Sequence, residues 1–378
     1  MNKVTKILFT GDFCPIGRSE SFIINNSIDD AFGDVLSLIQ DSDISITDLE
    51  CPLIIDASPI VKTGPTIKSS IQVAPFLKCS GFSLVTIANN HIMDYGIDGL
   101  ISTIESCKKA GLEYVGAGFS LNDARRIHYY IVNGLRLAFI NICENEWSTT
   151  NGDFPGANPV DPIYNFYDIK KAAETSDYVF VVMHGGNEMY NLPSPRFKKL
   201  CHFFVDTGAD FVICHHTHVF SGYEEYNGGL IFYGLGNFLF DDPGFRNHAW
   251  NNGILVQISI HEKEINYNVI PIRQSDKRPG VRLLPLEYQK EFENIIYNLN
   301  KIIGDDKILN ESFFNFCFRK NTYNMYYSYL QPYSNKYLKG LFKRGYFPSL
   351  ISKQYKMLLG NLMKCESHHD VLLNILKR

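Results

Sequence analysis

A layered α/β domain with a C-terminal helical extension is predicted for this 378-residue sequence by three observations. Over the first two-thirds, short apolar runs rich in β-branched and aromatic residues alternate with stretches of helical spacing. Several of those runs stop at a polar cluster, namely TGD, TDLE, ANNH, MHGG and CHHTH. After about Pro279 the alternation gives way to helical sequence rich in Tyr, Phe, Asn and Lys.

In chain order, strands are expected at Lys6–Thr10, Ile44–Thr47, Ser83–Ala88, Leu135–Ile142, Tyr178–Met183, Phe211–Cys214, Leu230–Tyr233 and Ile254–Ile260. Helices are expected between them at Asp29–Ile39, Gly99–Ala110, Asp168–Thr175 and Ser194–Asp206, where apolar residues recur about every 3.6 positions. Ser194-Pro195 is a helix start signal and Gly111 a stop signal. The change of character divides the chain into a domain over residues 1–278 and a helical extension over residues 279–378.

Apolar residues at 45% and charged residues at 20% leave room for a packed core and exclude a disordered or fibrous chain. A net charge of −4 gives no general attraction to nucleic acid, and none is expected as a partner. From Val281 to Arg378 the balance reverses, with 15 Lys and Arg against 8 Asp and Glu. That excess reads either as the solvated face of a helical appendage or as a surface for an anionic partner, a second copy or a biosynthetic complex. The opening MNKVTKILFTGD lacks the ~7–15-residue apolar stretch of a secretory signal, and no run approaches the ~20 residues of a membrane helix. Nine cysteines without a CxxC pair fit reduced thiols, and so a cytoplasmic location is expected.

Histidine carries the strongest chemical signal. His215, His216 and His218 follow directly on an apolar run, where an HxH pair at a strand end can aim two imidazoles into one site. His184 ends another run, and Asn90 and His91 follow a third. Asp12 and Glu50 close two more. In α/β sheets ligands collect at the carboxyl ends of strands, so these groups are expected on one rim. Carboxylates, an amide and imidazoles together suit Mn, Fe or Zn, as one or two ions, better than the all-oxygen preferences of Ca or Mg.

Read in order, GDFCPIGR, TDLECPL, ANNHIMDYG, VVMHGGNE, CHHTHVFSGYE and FYGLGNFLFD resemble the successive motifs of the bacterial capsule synthesis family CapA (PGA_cap, poly-γ-glutamate synthesis). That family is itself similar to calcineurin-like metallophosphatases. The resemblance covers about Lys6 to Asp241 and implies a four-layer α/β/β/α sandwich of metallophosphatase type. It implies Asp12, Glu50, Asn90, His184, His216 and His218 as metal ligands, with Glu50 as the bridging carboxylate and His91 as the catalytic histidine. Where metallophosphatases carry DxH, this chain has Cys14, which either substitutes as a thiolate or leaves the first metal weaker. His215 takes the place of a glycine and is a candidate ligand or a partner of one, as is Glu188.

Arg18, Lys68 and Asn237 are candidate substrate contacts, each against a plainer reading as a surface or loop-capping residue. Lys62, on the same loop as Lys68, could likewise reach an anion, against the plainer reading as a solvated lysine. The function expected is a metal-dependent phosphoesterase-like hydrolase acting on an anionic small molecule or glycan or polymer precursor in capsule, surface-polysaccharide or poly-γ-glutamate biosynthesis. The alternative is a capsule-assembly component that binds an anionic polymer or a partner enzyme through the metal site without turnover.

Overall fold

The computed structural model describes residues 3–62, 64–246, 248–333 and 335–364. An eight-stranded sheet runs in the order Val281–Leu283, Glu264–Gln274, Asn252–His261, Thr5–Phe13, Ile44–Leu49, Leu84–Thr86, Glu113–Val115, with Asn237–Leu239 paired to the end of Thr5–Phe13. A six-stranded sheet runs Tyr223–Tyr226, Gly229–Phe232, Phe211–His215, Tyr178–His184, Leu135–Cys143, His128–Val132. In the first sheet Thr5–Phe13 and the next three strands are parallel. In the second the four central strands are parallel.

Alternation along each strand builds the layers. Ile7 and Phe9 face the second sheet, where they join Ile44, Ile46 and Leu84 against Phe139, Phe180 and Phe211. The ring centroids of Phe180 and Phe211 lie 4.5 Å apart, and those of Phe9 and Phe180 lie 5.6 Å apart. Leu8 and Phe13 face the opposite way and pack with Phe32, Phe76, Leu100 and Ile104. Helices Pro162–Thr175 and Pro195–Thr207 cover the outer face of the second sheet. The result is the four-layer α/β/β/α sandwich expected from the sequence.

Two helix starts follow directly from local chemistry. Asp161 and Ser194 cap their helices by accepting backbone N–H bonds, each with proline at the first helical position. The helix expected over Asp29–Ile39 is instead Ile28–Phe32, a 3-10 turn at Gly33–Val35, and Leu36–Gln40. Gly33 breaks it by taking φ +47. Glu264–Gln274 was not expected as a strand, because Asn266, Asn268 and Pro271 interrupt its apolar residues. It is held as the return arm of a hairpin with Asn252–His261.

The chain divides by compactness into Met1–Asn310 and Glu311–Arg378, whereas the sequence suggested a division after residue 278. The segment between the two boundaries holds Val281–Leu283, which extends the first sheet, and helix Gln289–Ile303. Phe292 and Ile296 of that helix enter the inter-sheet core, and Lys198 Nζ donates to the Ile303 carbonyl at 2.7 Å. The second unit is helical, with Lys320–Tyr329, Lys336–Lys343 and Lys353–Lys364, and Tyr327 packs against Phe342. Residues 365–378 of the expected extension lie outside the described residues. Among the described residues, no helix is long and apolar enough to cross a membrane.

Candidate metal centre

The carboxyl ends of the parallel strands deliver the polar groups. Asp12 lies in Thr5–Phe13 where the register shifts, Asp48 lies in Ile44–Leu49 with Glu50 directly after it, and His184 and His215 end their strands. Gly11 permits the close approach that sets Asp12, because a Cβ there would lie 1.9 Å from the Gly236 carbonyl oxygen. The Asp12 amide donates to that same oxygen at 3.0 Å. Gly11→Ala is therefore expected to lower stability by about 1–3 kcal/mol or more, read by urea denaturation, since backbone and not a flexible side chain must move. His216 and His218 take φ +86 and φ +56. Left-handed backbone at two non-glycine residues costs on the order of 1–3 kcal/mol each and is the kind of strain that functional sites hold.

The two sheets meet through these side chains. His184 Nδ1 lies 3.1 Å from Asp48 Oδ2, and its Nε2 lies 3.1 Å from both Asn90 Oδ1 and His216 Nδ1. Asp12 Oδ1 lies 3.0 Å from His215 Nδ1, and its Oδ2 accepts the His216 amide at 3.2 Å and faces His218 Nδ1 at 3.3 Å. Glu50 Oε1 stands 3.6 Å from Nε2 of both His184 and His218. Three triplets, Asp12–Glu50–His218, Glu50–His184–His216 and Asp12–Asp48–His184, each bring ligand atoms within 4.8 Å of one another. Glu50 belongs to two of them.

The electrostatics are those of a cation site. Both Glu50 oxygens are buried without a hydrogen-bond partner among the described residues. Burial, with Asp12 and Asp48 beside it, pushes the Glu50 carboxyl well above its ordinary value. Asp12 goes the other way: burial opposes its ionisation, but His215 and His218 outweigh that and hold it far below the usual carboxylate range. Burial, reinforced by His184 and His218, depresses the His216 imidazole. For His215 and His218 burial is overcome by Asp12, and both are raised. A buried carboxylate with no donor is expensive, and a cation is the partner that its lone pairs lack.

Beside this cluster, His91 Nδ1 lies 2.7 Å from Asp94 Oδ2. Burial lowers the His91 imidazole below its ordinary value, with Asp94 opposing. Lys62 Nζ donates to Asp94 Oδ1 and lies 3.3 Å from His91 Nδ1.

The remaining sequence candidates lie outside the three triplets. The Cys14 thiol is in the outer-face core beside Cys51, and burial raises it well above its ordinary value, so it is a neutral thiol and joins none of the triplets. His215 touches Asp12 and so partners a candidate ligand. Glu188 is exposed, and its charge acts on Glu50 and His218. Arg18 forms a fork on Asp241, with Nε–Oδ2 2.8 Å and Nη2–Oδ1 2.7 Å, and donates to the carbonyls of Ser275, Asp276 and Lys277, leaving no free donor face for an anion. Lys68 donates to the Ile55 carbonyl and lies over the Tyr95 ring. Asn237 is buried with Oδ1 on His218 Nδ1 at 3.0 Å and its amide on the His218 and Trp250 carbonyls, which orients the imidazole. Asp48 was missed, as was the burial of Lys62 against Asp94. Asp48 was detectable, since residues two apart in a strand share a face and TDLE puts it with Glu50.

Arg18→Ala would take the guanidinium fork from the fully buried Asp241 carboxylate, leaving it the residue 18 amide at 2.8 Å and Arg246 Nε at 3.6 Å. The expected loss is about 2–3 kcal/mol, below the ~3–5 kcal/mol of a wholly buried pair because the Arg18 side chain is 29% exposed, with metal content unchanged. Denaturant melts and elemental analysis of the variant check both.

Residues 6–242 match the family described as bacterial capsule synthesis protein PGA_cap. The chain is 30% identical over 311 residues to capsule biosynthesis protein CapA of Bacillus anthracis, covering 79% of this chain and 75% of that one. It is 37% identical over 212 residues to PGA biosynthesis protein CapA of Bacillus subtilis, covering 52% of this chain and 55% of the relative. A probable polyglutamine synthesis accessory protein of Mycobacterium tuberculosis is 27% identical over 232 residues, which cover 57% of this chain and 61% of that protein. The matched segment contains every group of the three triplets, and by it the chain belongs to the bacterial capsule synthesis family PGA_cap.

Proposed function

We propose that this protein is a metal-dependent phosphoesterase that acts on an anionic precursor in the biosynthesis of a capsule or of a γ-linked polyglutamate. The observation that carries the metal reading is Glu50, whose two buried oxygens have no hydrogen-bond partner among the described residues, while Oε1 faces His184 and His218 at 3.6 Å. The biosynthetic setting follows the relatives named for capsule and PGA biosynthesis.

Asp12, Glu50 and His218 would hold one divalent ion, and Glu50, Asn90, His184 and His216 a second, with Glu50 shared. Asp48 accepts from Thr86 Oγ1 at 2.8 Å and aims His184 from behind. His215 does the same for Asp12. An N/O donor set of this kind suits Mn, Fe or Zn. Bound ions would supply Lewis-acid polarisation of the phosphoryl oxygens and a water acidified to a pKa of ~7.

The protein's own proton handling centres on His91. Nδ1–H donates to Asp94 Oδ2, and burial keeps the ring neutral, so Nε2 starts as an acceptor. Nε2 takes a proton from the attacking water and returns one to the leaving oxygen. The closed set of buried donors around Asp12 and His184 keeps these groups from reorganising as charge develops.

A binding role in capsule assembly, without turnover, is the second reading. Arg18 and Lys68 favour it no more than catalysis, since both are engaged within the protein. Protein loaded with Mn or Zn is expected to hydrolyse 4-nitrophenyl phosphate or its diester, and chelation should abolish this. Metal-loaded protein inert towards a broad panel of phosphate esters would leave the binding role as the better account.

A further inference from the structure

Val61 is 99% exposed, while the side chain of its neighbour Lys62 is only 3% exposed. This inverts the usual ordering of an apolar and a cationic residue, and burying an ammonium costs several kcal/mol unless partners compensate. The segment from Ile54 to Lys68 is tied down in a way that delivers this ammonium to one place. The Ile60 amide donates to the Asp94 carbonyl at 2.8 Å, and the Ile67 amide donates to Asp94 Oδ2 at 2.8 Å. Between these two anchors Lys62 turns inward, and Nζ donates to Asp94 Oδ1.

The Asp94 carboxylate is fully buried, and its partners divide between its oxygens. Oδ2 takes the Ile67 amide and Nδ1 of His91, whereas Oδ1 has Lys62 as its donor among the described residues. Without Lys62, Oδ1 would be a charged acceptor buried without a donor, a loss above the ~1–3 kcal/mol of a neutral group. The carboxylate would turn to recover a bond, and His91 would lose the acceptor that fixes its Nδ1 proton. Nε2 of His91 has no hydrogen-bond partner among the described residues, and its Nδ1 faces Asp94 Oδ2 at 2.7 Å and Lys62 Nζ at 3.3 Å, so these two groups set the ring's tautomer.

We propose that Lys62 is a positioning residue for His91: its ammonium fixes the orientation of the Asp94 carboxylate, which in turn holds the His91 proton on Nδ1 and presents a bare Nε2 to the substrate. The catalytic part of this role rests on the phosphoesterase reading, but the tautomer part does not. A lysine that served only to pin its loop would lower the melting temperature when removed and leave the imidazole unchanged.

The test uses the full-length chain with Lys62→Met, Lys62→Gln and Lys62→Arg. In metal-free protein, long-range ¹H–¹⁵N spectra of the histidine side chains, with His91 assigned by its loss in His91→Gln, should show the Nδ1–H tautomer for the parent. Lys62→Met and Lys62→Gln should show both tautomers, and Lys62→Arg should restore one. With Mn bound and bis(4-nitrophenyl) phosphate as probe, Lys62→Met should lower kcat ~10–100-fold, the range for loss of a group that orients a catalytic one, with KM and Mn content unchanged. Lys62→Gln keeps a donor without the charge and reports on the same tautomer if Lys62→Met fails to fold. An unchanged His91 tautomer in either folded variant overturns the proposal, as does a full kcat in Lys62→Met. Absence of turnover in the parent itself sinks the phosphoesterase reading, and the tautomer spectra still decide the role of Lys62.

Discussion

Glu50→Gln is expected to reduce bound metal from two ions to one or none and to slow phosphoester hydrolysis by at least ~10³-fold, since one carboxylate serves both ligand sets. The same change should stabilise the metal-free protein at neutral pH. Burial beside Asp12 and Asp48 raises the folded-state value of the Glu50 carboxyl above its unfolded one. A folded state that binds the proton more tightly gains stability as pH falls and loses it as pH rises above the ordinary glutamate value. Metal-free parent should therefore melt below metal-free Glu50→Gln at pH 7, and the gap should close near pH 4. Saturating Mn should reverse the order at pH 7, because the ion then offsets the charge that the fold leaves unpaired. Thermal melts at two pH values, with and without metal, read all of this. A metal-free variant less stable than the parent at pH 7 would contradict the account of Glu50.

His91→Ala is expected to leave metal content within error of the parent while slowing turnover ~10²–10⁴-fold, the range for loss of a general acid–base group. Asn90→Ala should behave differently and lose metal and activity together, because Asn90 Oδ1 sits on His184 Nε2 inside the cluster. Elemental analysis beside steady-state kinetics separates the two neighbours. His91→Ala protein that hydrolyses phosphate esters at the parent rate would remove His91 from the mechanism.

Much of this site could be read from the sequence because its groups sit where strands stop, and a strand's end is marked by its apolar run. TGD, TDLE, MHGG and CHHTH each named a group that the fold brings to the rim. What escaped depends on orientation and on long-range approach, which periodicity does not encode. Cys14 lies two residues after Asp12, yet the register shift at Asp12 precedes it and its thiol lies with Cys51 in the core. Arg18 looked available to an anion, but its carboxylate partner Asp241 lies 223 positions away in the chain. Lys62 looked solvated because composition cannot show that the amides of Ile60 and Ile67 fasten its segment over Asp94. The central strands of the fold were legible for the same reason as the site; the short or edge strands Glu113–Val115, His128–Val132, Tyr223–Tyr226 and Asn237–Leu239 were not, and neither were Glu264–Gln274 and Val281–Leu283. The last two are specified by a hairpin partner more than by their own residues.

The most direct test is an anomalous-scattering map from crystals of the full chain grown with Mn, recorded at the Mn edge. The account predicts density on both sides of Glu50, one position bounded by Asp12 and His218 and the other by Asn90, His184 and His216. Saturating Mn that leaves the Glu50 carboxylate without an ion, or Mn bound only at residues outside this set, would contradict it.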